Sequence, residues 1–396
     1  MKTLAILADR PTAATGFAVV CNNLALRLSK MKNLRVVYFA RFALWRCTKC
    51  GKKFSFENIP MCPYCKSNSV ETLNVGVGHD FATIYQGEFE YIPTEGGVWR
   101  DEIVDEIIKK YKPDMLFSED DWWSAHGLIS ATQRNNIPFY FYTPIDGLPI
   151  NREAHKIFEK CEKVFVPNSS FKLIKNGFSL HHGVDYVIFR PLEKEKKVFD
   201  KFTFLWNGRN EIRKALGRAI LAFKQAYTVG DCQMVIRTNW GTDTSRRTLA
   251  YLNHHKDIPI VKDQMKNCPH SFLRQIYGNC DALVITSKGG GFEMQSIEAM
   301  ACGIPVLCTD WTFMSEQVID KKNGFLIPIS GFHMTGPPSI RYWGNISIPI
   351  LAEKMRWMIT HQDKTKKMGK RARKHVMKHY SWKKIAKSLY MTLNIE

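Results

Sequence analysis

ALVITSKGGGFEMQSIEAMACGIPVLCTD, Ala282 to Asp310, is the stretch whose reading decides the fold. Ala282 to Thr286 is an apolar run of strand length, and Gly289 to Gly291 is a loop with almost no side chains. From Met294 to Cys302 the residues Met294, Ile297 and Ala301 fall on one helical stripe. Gly303 and Pro305 end that helix, and Val306 to Cys308 resumes as a buried strand. Strand, glycine loop, helix and strand together are the repeating unit of a parallel sheet. The loop suits an anion, because glycine lets the backbone come close and the first amides of a helix carry partial positive charge.

Within this stretch, SKGGGFEMQSIEAMACGIPV resembles the donor-site signature of the family-4 retaining glycosyltransferases. There an acidic residue, Gly-Phe-Gly and a second Glu precede Ala-Met-Ala-x-Gly-x-Pro-Val. The match covers Phe292, Glu298, Ala299, Met300, Ala301, Gly303, Pro305 and Val306. The resemblance implies that Glu298 holds the ribose hydroxyls of a nucleotide sugar and that Gly290, Gly291, Phe292 and Glu293 border the donor. In one respect the chain departs from the signature: Gly290 stands where the family has its first Glu, and Glu293 where it usually has glycine. Positions 293 and 298 are roughly 140° apart around a helix. Glu293 can therefore supply the missing carboxylate only from the loop ahead of the helix. A glycine loop can also reflect tight packing in any α/β protein, and it is the length of the downstream match that favours the donor site.

The whole chain has 396 residues with 45% apolar and 12% aromatic content, enough for two globular domains. No apolar run reaches membrane-spanning length, and the apolar part of MKTLAILADRP is too short for a signal peptide, so the expected location is cytoplasmic. A formal charge of +20 attracts nucleotides, nucleic acid or an acidic membrane surface without choosing among them.

In chain order, Lys2 to Ala8 and Val36 to Ala40 are expected strands, with a helix between them that keeps Val20, Leu24 and Leu28 on one face. PTAATGFAVVCNNLALRL resembles the family's first loop and helix, which gives Gly16 a place beside the donor phosphates. An ordinary turn glycine explains it equally well. Cys47-x2-Cys50 and Cys62-x2-Cys65 form two knuckles able to close a tetrahedral thiolate site, so a structural zinc is expected in a ribbon inserted over about 44–72. That insertion either touches the acceptor or only staples a long loop. The other seven cysteines are scattered, as buried thiols are in a reducing compartment.

Asp101 to Tyr111 is an amphipathic helix, and strands ending near Ser118 and Tyr142 lead to Glu119-Asp120-Asp121 and to Thr143-Pro144-Ile145-Asp146-Gly147. Asp146 is the candidate for contacting the reacting sugars. The competing explanation is an Asx turn before Gly147. VFVPNSSFKLIKNGF, read as a serine-capped helix, and HHGVDYVIFRP again look like the family. Residues 191–201 are charged and nearly free of aliphatics, which marks a domain junction.

Past that junction, NGRNEIRKALGRAILAF resembles the family's Gly-Arg, Lys-Gly element, whose cations neutralise the donor diphosphate. Arg209 matches directly. Lys214 matches with Ala215 in place of the usual glycine, and Arg213 could serve instead. Gly331 to Gly344 is a polar insertion with no family counterpart. Beyond Ile350 the chain is helical and strongly basic, a solvated face or else a docking surface for anionic lipid or nucleic acid.

The resemblance implies the α/β GT-B fold, two Rossmann-like domains facing a cleft. On this reading 1–190 binds the acceptor, 191–380 binds a UDP- or GDP-sugar donor, and 381–396 returns as a helix to the first domain. The implied reaction is sugar transfer with retention, carried by Asp146, Arg209, Lys214 and Glu298, with no catalytic divalent metal. The alternative is an inactive protein of the same fold that binds nucleic acid through its ribbon and basic surface.

Overall fold

A computed structural model of the chain describes residues 1–9, 15–41, 44–47, 49–50, 53–54, 70–73, 90–93, 99–192, 197–227, 232–264, 268–312, 314–336 and 340–395. They divide into two compact units. One comprises Met1–Pro144, Arg152–His181 and Trp382–Glu396, the other Ile145–Asn151 and His182–Ser381.

The first unit is built on a seven-stranded sheet. Its strands are β1 (Lys2–Asp9), β2 (Leu34–Arg41), β6 (Glu90–Pro93), β7 (Met115–Glu119), β8 (Phe139–Tyr142), β9 (Lys163–Val166) and β10 (Gly177–Ser179). Their order is β10-β9-β8-β7-β1-β2-β6, and every pairing is parallel. β1 lies in the middle because Leu4 to Ala8 are apolar and fully buried, which only a strand covered on both faces allows. Helix α1 (Gly16–Leu28) begins with Thr15 as N-cap, its hydroxyl accepting from the Ala18 amide at 3.1 Å. It buries Val20, Leu24 and Leu28. The C-terminal helix Trp382–Thr392 packs on α1 and buries Trp382, Ile385 and Leu389.

One reading of this unit changes, and another falls largely outside the described residues. The segment after β9 is a short 3-10 turn, Ser169–Leu173, and Asn168 caps it by accepting from the Ser170 amide at 3.0 Å. It is therefore not a serine-capped α-helix: Gly177 is already paired in β10, which leaves no length for one. In the expected zinc segment the structure describes a small antiparallel sheet, β4 (Lys53–Phe54), β3 (Leu44–Cys47) and β5 (Val70–Leu73), in that order. Cys62 and Cys65 lie outside the described residues. For Cys47 only the backbone at the end of β3 is described, and Cys50 is exposed.

The second unit carries six parallel strands in the order β13-β12-β11-β14-β15-β16. These are β11 (Phe202–Asn207), β12 (Cys232–Thr238), β13 (Ile260–Gln264), β14 (Ala282–Ile285), β15 (Val306–Thr309) and β16 (Gly324–Ile327). The chain starts in the middle, winds outward to β13, then crosses back beside β11 to form β14. That reversal opens a crevice at the carboxyl ends of β11 and β14, where ligands bind in doubly wound sheets. Helices Leu216–Ala226 and Ile348–Thr360 cover one face through Leu216, Ile220, Phe223, Leu351 and Met355. Helices His270–Asn279, Met294–Ala301 and Gln362–His379 cover the other through Tyr277, Ile297, Met300, Ala372 and Val376. Residues 182–190 group with this unit. The Val184 amide donates to the Tyr380 carbonyl at 2.9 Å, and Phe189 is buried against Tyr277.

The Gly331 to Gly344 insertion is a β-hairpin, β17 (Ile329–Met334) paired antiparallel with β18 (Tyr342–Ile346). The basic tail is partly structural. Arg371 donates to the Lys322 carbonyl at 2.6 Å, and Arg373 reaches the Phe189 carbonyl at 3.1 Å and the Ala301 carbonyl. Ala301 ends its helix, so Arg373 places a cation where the helix leaves its carbonyls unpaired. Among the described residues no helix is long and apolar enough to cross a membrane.

Two backbone positions make opposite demands. A Cβ on Gly369 would lie 1.9 Å from the Gly303 carbonyl oxygen, so this helix packs backbone to backbone on the turn at Gly303. Ala215, which stands before helix Leu216–Ala226, is held at φ 51° and ψ 43°, a left-handed conformation that favours glycine. Gly369→Ala is expected to cost about 3 kcal/mol by overpacking. Ala215→Gly is expected to gain about 0.5–1 kcal/mol, the strain relief exceeding the added unfolded-state entropy. Urea unfolding midpoints at unchanged slope check both signs.

Candidate functional site

The crevice at the ends of β11 and β14 is walled by two loops laced to each other. Trp206 in β11 donates from Nε1 to the Thr286 hydroxyl at 3.1 Å, and that hydroxyl contacts the carbonyls of Lys214 and Ala215 at 2.9 and 3.1 Å. The Lys288 amide donates to the Arg213 carbonyl at 2.7 Å, and the Arg213 guanidinium donates to the Gly289 carbonyl at 2.8 Å. Thus the turn Ile212–Lys214 and the loop Ser287–Glu293 hold a fixed mutual position.

Glu293 is the N-cap residue of helix Met294–Ala301. It therefore lies ahead of the helix, where the sequence requires it to be if it is to supply a carboxylate to this loop. Its two oxygens accept from Lys214 Nζ at 2.7 and 2.8 Å, and Oε1 also accepts from the Ser287 hydroxyl at 2.9 Å. Burial pushes this carboxyl up, but Lys214, Arg213 and the hydrogen bonds more than offset it and hold Glu293 below the usual carboxylate range. Burial brings the Lys214 ammonium down, with Glu293 opposing. A charged pair with these bonds satisfied is the stable state of such a site.

Glu298 projects from the same helix and is buried. Its Oε2 accepts from the Tyr277 hydroxyl at 2.8 Å, and that hydroxyl accepts from Asn207 Nδ2 at 3.3 Å. Burial raises the Glu298 carboxyl, with His270 and the Tyr277 bond pulling the other way. Asn207 ends β11, so this chain of hydrogen bonds ties Glu298 to the strand on the other side of the crevice.

The remaining sequence candidates fall in different settings. Arg209 leaves β11 with its side chain 68% exposed, 4.0 Å from Glu211, as a cation open to solvent. The Gly290 amide donates to the Thr312 hydroxyl at 3.3 Å, so the loop spends one of its donors internally. Gly291 is buried in the loop. Phe292 packs its ring on His182 and Tyr380, 4.7 and 5.9 Å between centroids, and so anchors the loop to the core. Asp146 groups with the second unit and is ion-paired to Arg341, on the hairpin. The hairpin is fixed there by the Tyr342 amide on the Leu148 carbonyl and the Gly344 amide on the Lys288 carbonyl, both at 2.8 Å. Gly16 belongs to the first unit, where it opens α1 with nothing within 4 Å of where a Cβ would be. That unit has its own acidic strand ends: Asp9 accepts from the Thr15 hydroxyl at 2.6 Å, and burial with the charges of Asp9 and Asp120 raises Glu119 well up.

Sequence reasoning missed Tyr277, Asn207, Ser287, Thr312 and Arg341. Asn207 and Ser287 sit inside motifs already singled out. Tyr277 and Arg341 carry no local signal, since their partners are 21 and 195 residues away.

Comparison with known proteins bears on the fold that carries this crevice. Residues 189–330 match the family model described as Glycosyl transferases group 1. The fold is GT-B. Over 99% of both chains the structure superposes on sucrose-phosphate synthase from Thermosynechococcus elongatus with a TM-score of 0.70 at 18% identity. Over 99% of both chains it also superposes on HepE from Anabaena, solved in complex with UDP and glucose, with a TM-score of 0.72 at 13% identity. In sequence it is 24% identical over 232 residues to CapM, a capsular polysaccharide biosynthesis glycosyltransferase of Staphylococcus aureus. That match spans 56% of this chain and 56% of CapM.

Glu298 gives a pH test. A carboxyl raised on folding weakens the fold where it must ionise, so its penalty is absent below the unfolded value and grows as pH rises toward the folded one. Glu298→Gln, which keeps an acceptor for Tyr277, is expected to raise Tm above wild type near pH 8. The gain should vanish near pH 4, as thermal melts across that range would show.

Proposed function

We propose that the protein is a retaining glycosyltransferase that moves a sugar from a UDP- or GDP-sugar to an acceptor hydroxyl. The observation that carries this reading is the convergence of Arg213, Lys214 and the Gly289–Gly291 loop at the crevice of β11 and β14, with Glu298 buried on the adjoining helix. As the glycosidic bond of the donor breaks, the departing diphosphate gains negative charge, and fixed cations beside it lower the barrier without reorganising. In this reading Lys214 and Arg209 take the diphosphate, Glu298 orients the ribose, and the loop amides left over by Thr312 add partial positive charge. The sugar passes through a state of oxocarbenium character. Two side-chain cations supply the charge that a divalent metal would otherwise bring.

Asp146 contacts the reacting sugars in this scheme, with Arg341 holding its carboxylate in place. Gly16 is the glycine that the family-like first loop gives to the donor phosphates. Residues 1–190, apart from 145–151 and 182–190 that group with the second unit, supply the acceptor side, and Cys47, Cys50, Cys62 and Cys65 hold a structural zinc, which closes a segment too short to bury a core of its own. The basic face of Gln362–His379, with Lys366, Lys367, Lys370 and Lys374 exposed, contacts anionic surfaces peripherally. A protein that kept the fold without the chemistry would draw its support from Gly290. The Glu293 carboxylate in that same loop weighs against it.

Glu298→Ala and Arg209→Ala are each expected to lower kcat/KM about a hundredfold. The assay is nucleotide release from a panel of UDP- and GDP-sugars, and near-wild-type turnover in both variants would refute the assignment. Chelation is expected to release about one zinc per chain and to lower Tm while UDP and GDP affinities stay unchanged. A loss of those affinities would place the metal in the donor site instead.

A further inference from the structure

Gly290 and Glu293 stand three residues apart in one loop. A Cβ built on Gly290 would lie 2.9 Å from Oε1 of Glu293, so the space a side chain at 290 would enter is already filled by that carboxylate. The Glu293 side chain is 4% exposed and grips the Lys214 ammonium with both oxygens, while Lys214 keeps 16% exposure. Ser287 supplies the third bond and fixes the carboxylate from the strand side of the loop. An ammonium on a four-carbon stem has many rotamers, and a bidentate partner selects one. An ammonium has three N–H donors, and the Glu293 oxygens engage it in two hydrogen bonds.

We propose that Glu293 is the positioning residue for the diphosphate-binding ammonium of Lys214, and that position 290 is glycine because Glu293 reaches back over it. The two positions have exchanged side chains, and Gly290 does not mark a lost function. This inference rests on the donor reading of the site.

The charged and titratable groups that face the pair come from three elements. Arg213 and Glu211 lie on the turn that carries Lys214, Ser287 lies in the glycine loop, and Cys308 faces Glu293 from β15. Burial drives the Cys308 thiol up, so it stays neutral. Arg213 disfavours the Lys214 charge, while Glu293 and, more weakly, Glu211 favour it. Removing the Glu293 charge therefore moves the Lys214 titration to lower pH.

The test compares wild type, Glu293→Gln, Glu293→Gly and the exchange Gly290→Glu/Glu293→Gly. The Lys214 ammonium is titrated by NMR in ligand-free protein, assigned with Lys214→Arg, and UDP and GDP affinities are measured by calorimetry between about pH 7 and pH 10. In Glu293→Gln the Lys214 titration is expected to fall by about one unit or more, and the alkaline loss of nucleotide affinity to fall with it. The exchange variant is expected to bring both back toward wild type. A Lys214 titration unmoved in Glu293→Gln overturns the proposal, as does an exchange variant that titrates like Glu293→Gly. Should the exchange variant fail to fold, the near-isosteric Glu293→Gln decides alone. If Lys214 titrates as expected but wild type binds neither UDP nor GDP, the pairing stands and the donor reading fails.

Discussion

The bond between Lys214 and Glu293 joins two stretches of chain that are 79 residues apart in sequence, and the candidate site is organised around it. Each partner would be costly alone, because a buried ammonium or carboxylate without a counter-charge loses its hydration for nothing. Together they fix the turn after β11 against the loop after β14. Every other contact there, from the Thr286 hydroxyl to the Arg213 guanidinium, then has a defined partner. The sheet makes the meeting possible, since the return of the chain beside β11 brings the ends of the first and fourth strands of the unit together.

Close approach is the second constraint, and glycines mark where it acts. A Cβ on Gly289 would lie 2.4 Å from the Asp146 carbonyl oxygen, and one on Gly147 would lie 2.8 Å from Arg341 Cδ. One on Gly344 would meet Ile329 and Trp311 at 2.6 and 2.7 Å. The glycine loop, the Asp146 turn and the hairpin therefore interlock through missing side chains as much as through bonds. The loop glycines serve packing, since their bare backbone admits Asp146 and Glu293, and that backbone is what the proposed phosphate site would use.

Much of this was legible in advance because it is written locally. The alternation of apolar runs with helical stripes marked helix Asp101–Tyr111 with the bounds the structure has, and β1, β14 and β15 to within one residue. A strand covered on both faces must be continuously apolar, and a helix against a sheet must repeat its apolar residues every three or four positions. The hairpin escaped such reading: Phe332, Met334 and Tyr342 are exposed on it, so burial wrote no alternation into its sequence. The turn at Ser169–Leu173 escaped because its brevity is set by Gly177, which pairs with β9 at Val164, a constraint that lies outside the segment itself.

The sequence by itself determined the doubly wound architecture and the glycine loop, because periodicity and motif are properties of neighbouring residues. Only the tertiary structure decided which charges meet. Glu293 could have faced solvent, Asp146 could have been an isolated turn residue, and Tyr277 could have been one more core aromatic. Each instead took its role from a partner brought near by the sheet, and the free energy of burying charge selects such partners by distance in space, to which spacing along the chain is blind.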